Sequence, residues 1–163
     1  MINLINSDFP VPEILETDQV RLRMLTIQDV VKDYEAVMTS IGHLQRTKPF
    51  GPDHDWPAAS LTLEQDLIDL GWHQKEFQKK SSFAYTVMNL EETSCLGCDY
   101  IYPSRHPDFD AAVILWVRES EIKRGLDAHL YQAVKEWIGN SWPFKNPAFP
   151  GRDIPWENWK TQT

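Results

Sequence analysis

Apolar and polar residues alternate from Gln19 to Leu25, where Val20, Leu22 and Met24 stand against Arg21 and Arg23, and this period of two predicts a half-buried strand. The spacing then changes. Thr26 followed by Asp29 supplies an N-cap, and Ile27, Val30, Val31, Tyr34, Val37 and Met38 recur at helical intervals, which predicts a first helix. Gly42, Pro49, Gly51, Pro52 and Pro57 break residues 40–59 into loop, with a short helical turn near His43 to Arg46. Thr62 with Gln65 forms a capping box, and Leu63, Leu67, Leu70 and Phe77 set an apolar stripe along a second helix reaching Lys79. Upstream, Pro10 and Pro12 mark residues 1–17 as an irregular leader.

Strand signals follow. Phe83 to Asn89 is aromatic and β-branched, Glu91 to Ser94 is a polar turn, and Cys95 to Tyr102 returns as the second arm of a hairpin closed by Pro103 to Pro107. Ala111 to Val117 is nearly all apolar and of strand length, which predicts a central strand buried on both faces. Leu126, Leu130, Val134, Trp137 and Ile138 trace a helix that stops near Gly139 and Asn140. The remainder, 141–163, holds four prolines among tryptophans and phenylalanines and reads as one short strand with a packed aromatic tail. This order gives a mixed α/β (α+β) domain spanning 1–163, with a mostly antiparallel central sheet, helices on both faces and one βαβ crossover.

Composition narrows the partners. The chain has 163 residues, enough for one domain with a substantial core at 42% hydrophobic content. A net charge of −8 repels a phosphate backbone and favours a cationic small molecule or peptide, so nucleic acid is not expected as a partner. The N-terminus lacks the basic start and apolar run of a secretory signal, and no membrane partner is expected; the expected location is cytoplasmic. Cys95 and Cys98 form a lone C-x-x-C. The five histidines lack zinc-type spacing, and residues three apart on a regular strand face opposite sides. The pair therefore reads as small strand residues flanking Gly97, and no metal is expected.

Val20-Arg21-Leu22-Arg23-Met24-Leu25-Thr26 with the helix after it, the hairpin of Phe83 to Val87 and Leu96-Gly97-Cys98, and Trp116-Val117-Arg118 ahead of Arg124-Gly125-Leu126 together resemble the GNAT N-acetyltransferases. The branch they resemble most includes the ribosomal-protein alanine acetyltransferases. The likeness runs in order over residues 18–140 and rests on the succession of motifs, each weak alone. It implies acetyl-CoA as co-substrate and donor, and an amine as acceptor. Pantetheine would pair with the backbone of Leu115, Trp116 and Val117, ending at Arg118. The pyrophosphate would sit at the next helix start, over Lys123, Arg124, Gly125, Leu126 and Ala128. Free N–H groups and the positive end of a helix dipole give that placement an independent physical basis. Two positions depart from the family's phosphate loop: Ile122 stands where Gln or Arg is expected and Asp127 where a second small residue is.

Direct acetyl transfer needs a base for the ammonium acceptor and an acid for the departing thiolate. Asp99 on the hairpin and Asp108 or Asp110 before the central strand are candidate bases, and Tyr102 or Tyr100 a candidate acid. The family's usual tyrosine lies on a helix after its fifth strand, and the short tail has no room for that helix or for the two strands beyond it. A second subunit or the aromatic tail would fill that gap, so a homodimer is one expectation. The leading reading is an acyl-CoA-dependent N-acyltransferase, with a non-catalytic GNAT-like binding module as the alternative.

Overall fold

The computed structural model describes residues 4–159, so 1–3 and 160–163 of the expected domain lie outside it. The strands are β1 (Ile14–Glu16), β2 (Arg21–Met24), β3 (Phe83–Met88), β4 (Cys95–Pro103), β5 (Ala111–Val117) and β6 (Pro147–Ala148). The helices are α1 (Val30–Met38), α2 (Ile41–Thr47), α3 (Leu63–Gln78) and α4 (Leu126–Ser141). All strands lie in one sheet in chain order. Every neighbouring pair is antiparallel except β5 and β6, which run parallel across the α4 crossover. Among the described residues, no helix is long and apolar enough to cross a membrane.

Strand alternation sends side chains into two cores. Phe83, Tyr85, Val87, Val113, Leu115 and Val117 pack against Leu126, Leu130, Val134, Trp137 and Ile138 of α4. The opposite face, with Ala84, Cys98, Tyr100 and Trp116, packs under α1, α2 and α3 through Val37, Leu44 and Leu70. Each fully buried large aliphatic side chain contributes roughly 1.5–3 kcal/mol. The β2–α1 corner is fixed by the Thr26–Asp29 capping box and by Arg23, whose two terminal nitrogens donate to Asp29 at 3.1 and 2.9 Å.

Four expectations change. β1 lies within the leader, pairing Ile14–Glu16 with β2. α3 forms where its capping box begins it, yet Leu63 and Leu67 face solvent, and its buried positions are Asp66, Leu70 and His73. Polar side chains make that face because they meet one another and the aromatic sheet. Burial, with Asp66 beside it, holds the Asp33 carboxyl of α1 well above its ordinary range, and burial raises Asp66 to about 6. The His73 ring lies 5.2 Å from that of Tyr100.

Cys95 and Cys98 face the same core, because the register shifts between Val87 and Met88. Met88 pairs Cys95 and Val87 pairs Gly97, so Leu96 is the extra residue of a bulge. Both thiols are free and buried. Finally, β5 is not central: it is next to the edge, with β6 pairing only Ala111 and Ala112.

Candidate active site

Past Ala112 the edge of β5 loses its strand partner, because the chain leaves β6 through a turn at Phe149–Asp153. Arg152 N donates to Phe149 O, Gly151 N to Ile154 O, and Phe149 N to the Asp153 carboxylate. A cleft of about 370 Å3 fills this fork. Ile114 to Val117 form one wall, Pro150 to Arg152 the other, Ile122 and Asp127 the end at α4, and His43, Thr47, Lys48 and Pro49 of α2 and its exit line the remainder.

At the α4 end, Gly125 is the N-cap with φ +74°, and no side chain caps the helix. The first-turn N–H groups lack intrahelical partners. A Cβ on Gly125 would meet nothing within 4 Å, so the space beside this helix start is open, and it is the left-handed φ that favours glycine there. Lys123 and Arg124 are exposed on the short 3-10 run before it. This cradle, with an unpaired strand edge leading into it, fits an extended ligand ending in phosphate.

Asp127 does not stand free in that cradle. Arg152 clamps it with Nη1 and Nη2, each 2.9 Å from a carboxylate oxygen, and Nη2 also donates to the Leu115 carbonyl at 3.3 Å. The guanidinium lies over the Tyr131 ring at 5.0 Å.

A second cleft, of about 530 Å3, adjoins the first. Phe50, Trp72, Tyr102, Trp156 and Trp159 wall it, with Glu76 and Arg105 as its charges, and it shares Ile114, Pro150 and Trp156 with the fork. Trp156 reaches that junction because Gly151, at φ +80°, makes room: a Cβ there would lie 2.3 Å from the indole Nε1. A side chamber of about 300 Å3 opens between Phe50, Trp72 and Tyr102 onto Asp69, His73 and Tyr100. His73 Nε2 stands 3.6 Å from Asp69 Oδ2. Hydrogen bonds from Lys75 and then Ser81 hold the Glu76 carboxyl below its ordinary range, so it is an anion in an aromatic cleft.

The structure lines the fork with Leu115, Trp116 and Val117, and sets Gly125 at the start of α4 between the lining residues Ile122 and Asp127, with Lys123 and Arg124 exposed on the 3-10 run before Gly125. Leu126 is buried beneath α4, Ala128 is exposed, and the Arg118 side chain turns away. Arg118 instead ties the end of β5 to the hairpin and α1, donating to Cys95 O at 3.1 Å and to Thr39 Oγ1 at 3.1 Å.

Tyr102 lines both the aromatic cleft and its side chamber, and burial raises its phenol, which therefore stays protonated. Tyr100 is buried and its hydroxyl accepts from Trp116 Nε1. Asp99 is fully buried and lies opposite Tyr85 and Leu115, on the α4 face, away from the aromatic cleft. Asp110 accepts the backbone N–H groups of Lys145 and Asn146 and pins the entry to β6. Asp108 is exposed in the loop beside His106. Arg152, Trp156 and the Asp69–His73 pair have no local sequence signature. The only available signal was that Arg152 is the lone basic residue between Asn146 and Trp159.

A mostly antiparallel sheet whose last two strands run parallel and part, with a helix N-terminus at the fork, is the fold of the GNAT acetyltransferases. Several similar solved structures are of enzymes named for ribosomal proteins. A ribosomal-protein-S5-alanine acetyltransferase from Vibrio fischeri matches with TM-score 0.60 at 16% identity, over 78% of this chain and 67% of that one. A ribosomal L7/L12 alpha-N-protein acetyltransferase in complex with coenzyme A matches with TM-score 0.61 at 18% identity, over 77% and 67%. An acetyltransferase from Salmonella typhimurium that modifies the N-terminal serine of L7/L12 matches with TM-score 0.60 at 16% identity, over 78% and 68%. No family model and no curated protein sequence matches the chain.

Proposed function

We propose that the protein is an acyl-CoA-dependent N-acyltransferase that moves an acetyl group from acetyl-CoA directly to an amine of a small molecule or peptide. The observation that carries this reading is the meeting of two differently built clefts at Ile114, Pro150 and Trp156. One has an unpaired strand edge and an uncapped helix start, suited to a long phosphorylated donor. The other has aromatic walls, with Glu76 and Arg105 as its charges, and its ring faces suit an amine acceptor.

Acetyl-CoA supplies a thioester carbonyl open to attack by an amine. The backbone of Leu115 to Val117 would hold its pantetheine arm, and Gly125 with Lys123 and Arg124 its pyrophosphate. Trp156 and Phe50 would keep water from the junction, and the aromatic faces of Phe50, Trp72 and Trp159 would hold the amine, the Glu76 carboxylate being already paired with Lys75 Nζ at 2.8 Å. Asp69 with His73 would receive the first proton of the ammonium, and the Tyr102 hydroxyl, which stays protonated, would hydrogen-bond the departing sulfur, which takes up the second proton shed by the attacking nitrogen as the C–S bond breaks.

Calorimetry with acetyl-CoA and with CoA tests the donor site, and release of free thiol over a panel of amines tests turnover. Absence of binding at high micromolar concentration would sink the enzyme reading. Binding without thiol release from any amine would favour a GNAT-like binding module, a reading supported by Ile122 and by the ion pair across the fork.

A further inference from the structure

Arg152 occupies what an extended donor would need. Its Nη2 takes the Leu115 carbonyl on the β5 edge that β6 leaves unpaired, and its fork holds Asp127 at the mouth of the α4 cradle. The guanidinium thus touches both the track for an amide-bearing arm and the place for a phosphate. Resting on the acyl-CoA reading above, we propose that Arg152 is a displaceable plug of the donor groove that becomes a pyrophosphate ligand when the donor enters. It exchanges the Asp127 carboxylate and the Leu115 carbonyl for phosphate oxygens.

Three features make the exchange favourable. The Arg152–Asp127 pair is two-point but partly solvated, its side chains 23% and 42% exposed, so solvent and salt screen it and can replace either partner. A pyrophosphate presents more charge and more acceptor oxygens than one carboxylate, and a planar fork binds phosphate in two-point fashion. The turn at Phe149–Asp153 is fixed by its own hydrogen bonds, so only the side chain need swing, and Asp127 is the second residue of the helix whose start forms the cradle. Arg152 thereby supplies the cation that Ile122 does not.

The test is calorimetry on the wild type, Arg152→Ala and Asp127→Asn, with CoA and separately with pantetheine, which lacks the phosphates. Arg152→Ala should weaken CoA binding about tenfold. The same change should strengthen pantetheine binding, because the Leu115 carbonyl is freed. Asp127→Asn should strengthen CoA binding severalfold by releasing the fork. CoA affinity unchanged or raised in Arg152→Ala overturns the proposal, as does weaker CoA binding by Asp127→Asn in a protein that melts like the wild type. If none of the three proteins binds CoA or pantetheine, the acyl-CoA reading itself fails.

Discussion

Replacing Asp99 by asparagine should remove most of one buried-acid penalty and reveal itself only as pH rises. Asp99 is fully buried, and neither carboxylate oxygen has a hydrogen-bond partner among the described residues. Burial raises its pKa from 3.8 to about 8, against the weaker opposing pull of Arg152. The folded chain therefore keeps a proton that the unfolded chain releases. Below the unfolded value both states are protonated and the residue costs nothing through ionisation. Between 3.8 and 8 stability falls as pH rises, by up to about 1.4 kcal/mol per unit. Above 8 the accumulated loss levels off at about 6 kcal/mol.

The asparagine side chain would keep the shape and a polar head but bind no proton, so Asp99→Asn and wild type should differ by about 1 kcal/mol at pH 4.5 and by several at pH 8. Urea midpoints at both pH values measure this, and Asp33 and Asp66, raised in both proteins, cancel in the difference. Curves that stay parallel from pH 4.5 to 8 would refute the reasoning, because they would mean an ordinary, solvated or paired carboxylate. Since Asp99 lies on the face away from the aromatic cleft, thiol release by the variant should stay near the wild-type rate at pH 6. A loss of more than about a hundredfold in a folded variant would return Asp99 to the chemistry.

Gly125→Glu should abolish CoA binding by calorimetry while lowering stability by only about 1–2 kcal/mol, since its Cβ meets open space and the cost is the left-handed φ. Retained affinity would move the phosphates elsewhere. Gly97→Ala should cost about 3 kcal/mol or more, because a Cβ there would stand 2.1 Å from the Trp116 carbonyl oxygen and the β4–β5 ladder must shift; a urea midpoint equal to that of the wild type contradicts this contact. Burial raises the Cys95 thiol to about 12 and Cys98 well above its ordinary value. Neither should react with a chromogenic disulfide in the native protein at pH 8, and both should react in denaturant; rapid native labelling would place them at the surface.

Elements whose period and caps agreed were legible in the sequence. β2, α1, the β3–β4 hairpin and β5 follow their patterns, and α4 overruns its glycine stop to Ser141. Pattern misled where a tertiary partner inverted the sense of a side chain. Leu63 and Leu67 marked a core stripe, but α3 buries Asp66 and His73 because Asp33 and Tyr100 await them there. The two cysteines were assigned to opposite faces by alternation, and one bulged residue at Leu96 put them on the same face. β5 read as central because it is apolar on both faces. Helices on either side account for that, while its edge stays open. At the site, the β5-to-Gly125 junction was visible as a strand followed by Lys-Arg-Gly. The opposite wall was not, because Arg152 and Trp156 belong to a proline-broken tail with no periodicity to read.

The segment from Pro147 to Trp159 supplies a wall to each cleft. Arg152 lines the fork, Trp159 the aromatic cleft, and Pro150 and Trp156 both. Asp127, which in the sequence set an uncompensated carboxylate against a phosphate, is neutralised by the same segment. A net charge of −8 therefore does not bear directly on the proposed donor groove, which Lys48 and Arg152 line, with Lys123 and Arg124 exposed on the 3-10 run before Gly125. Local field at a helix start, rather than the charge of the whole chain, decides whether a polyanion can settle there. On the proposed reading the acidic surplus would act on the acceptor instead, raising the concentration of a cationic amine near a cleft whose walls are aromatic and whose own charges, Glu76 and Arg105, offset each other.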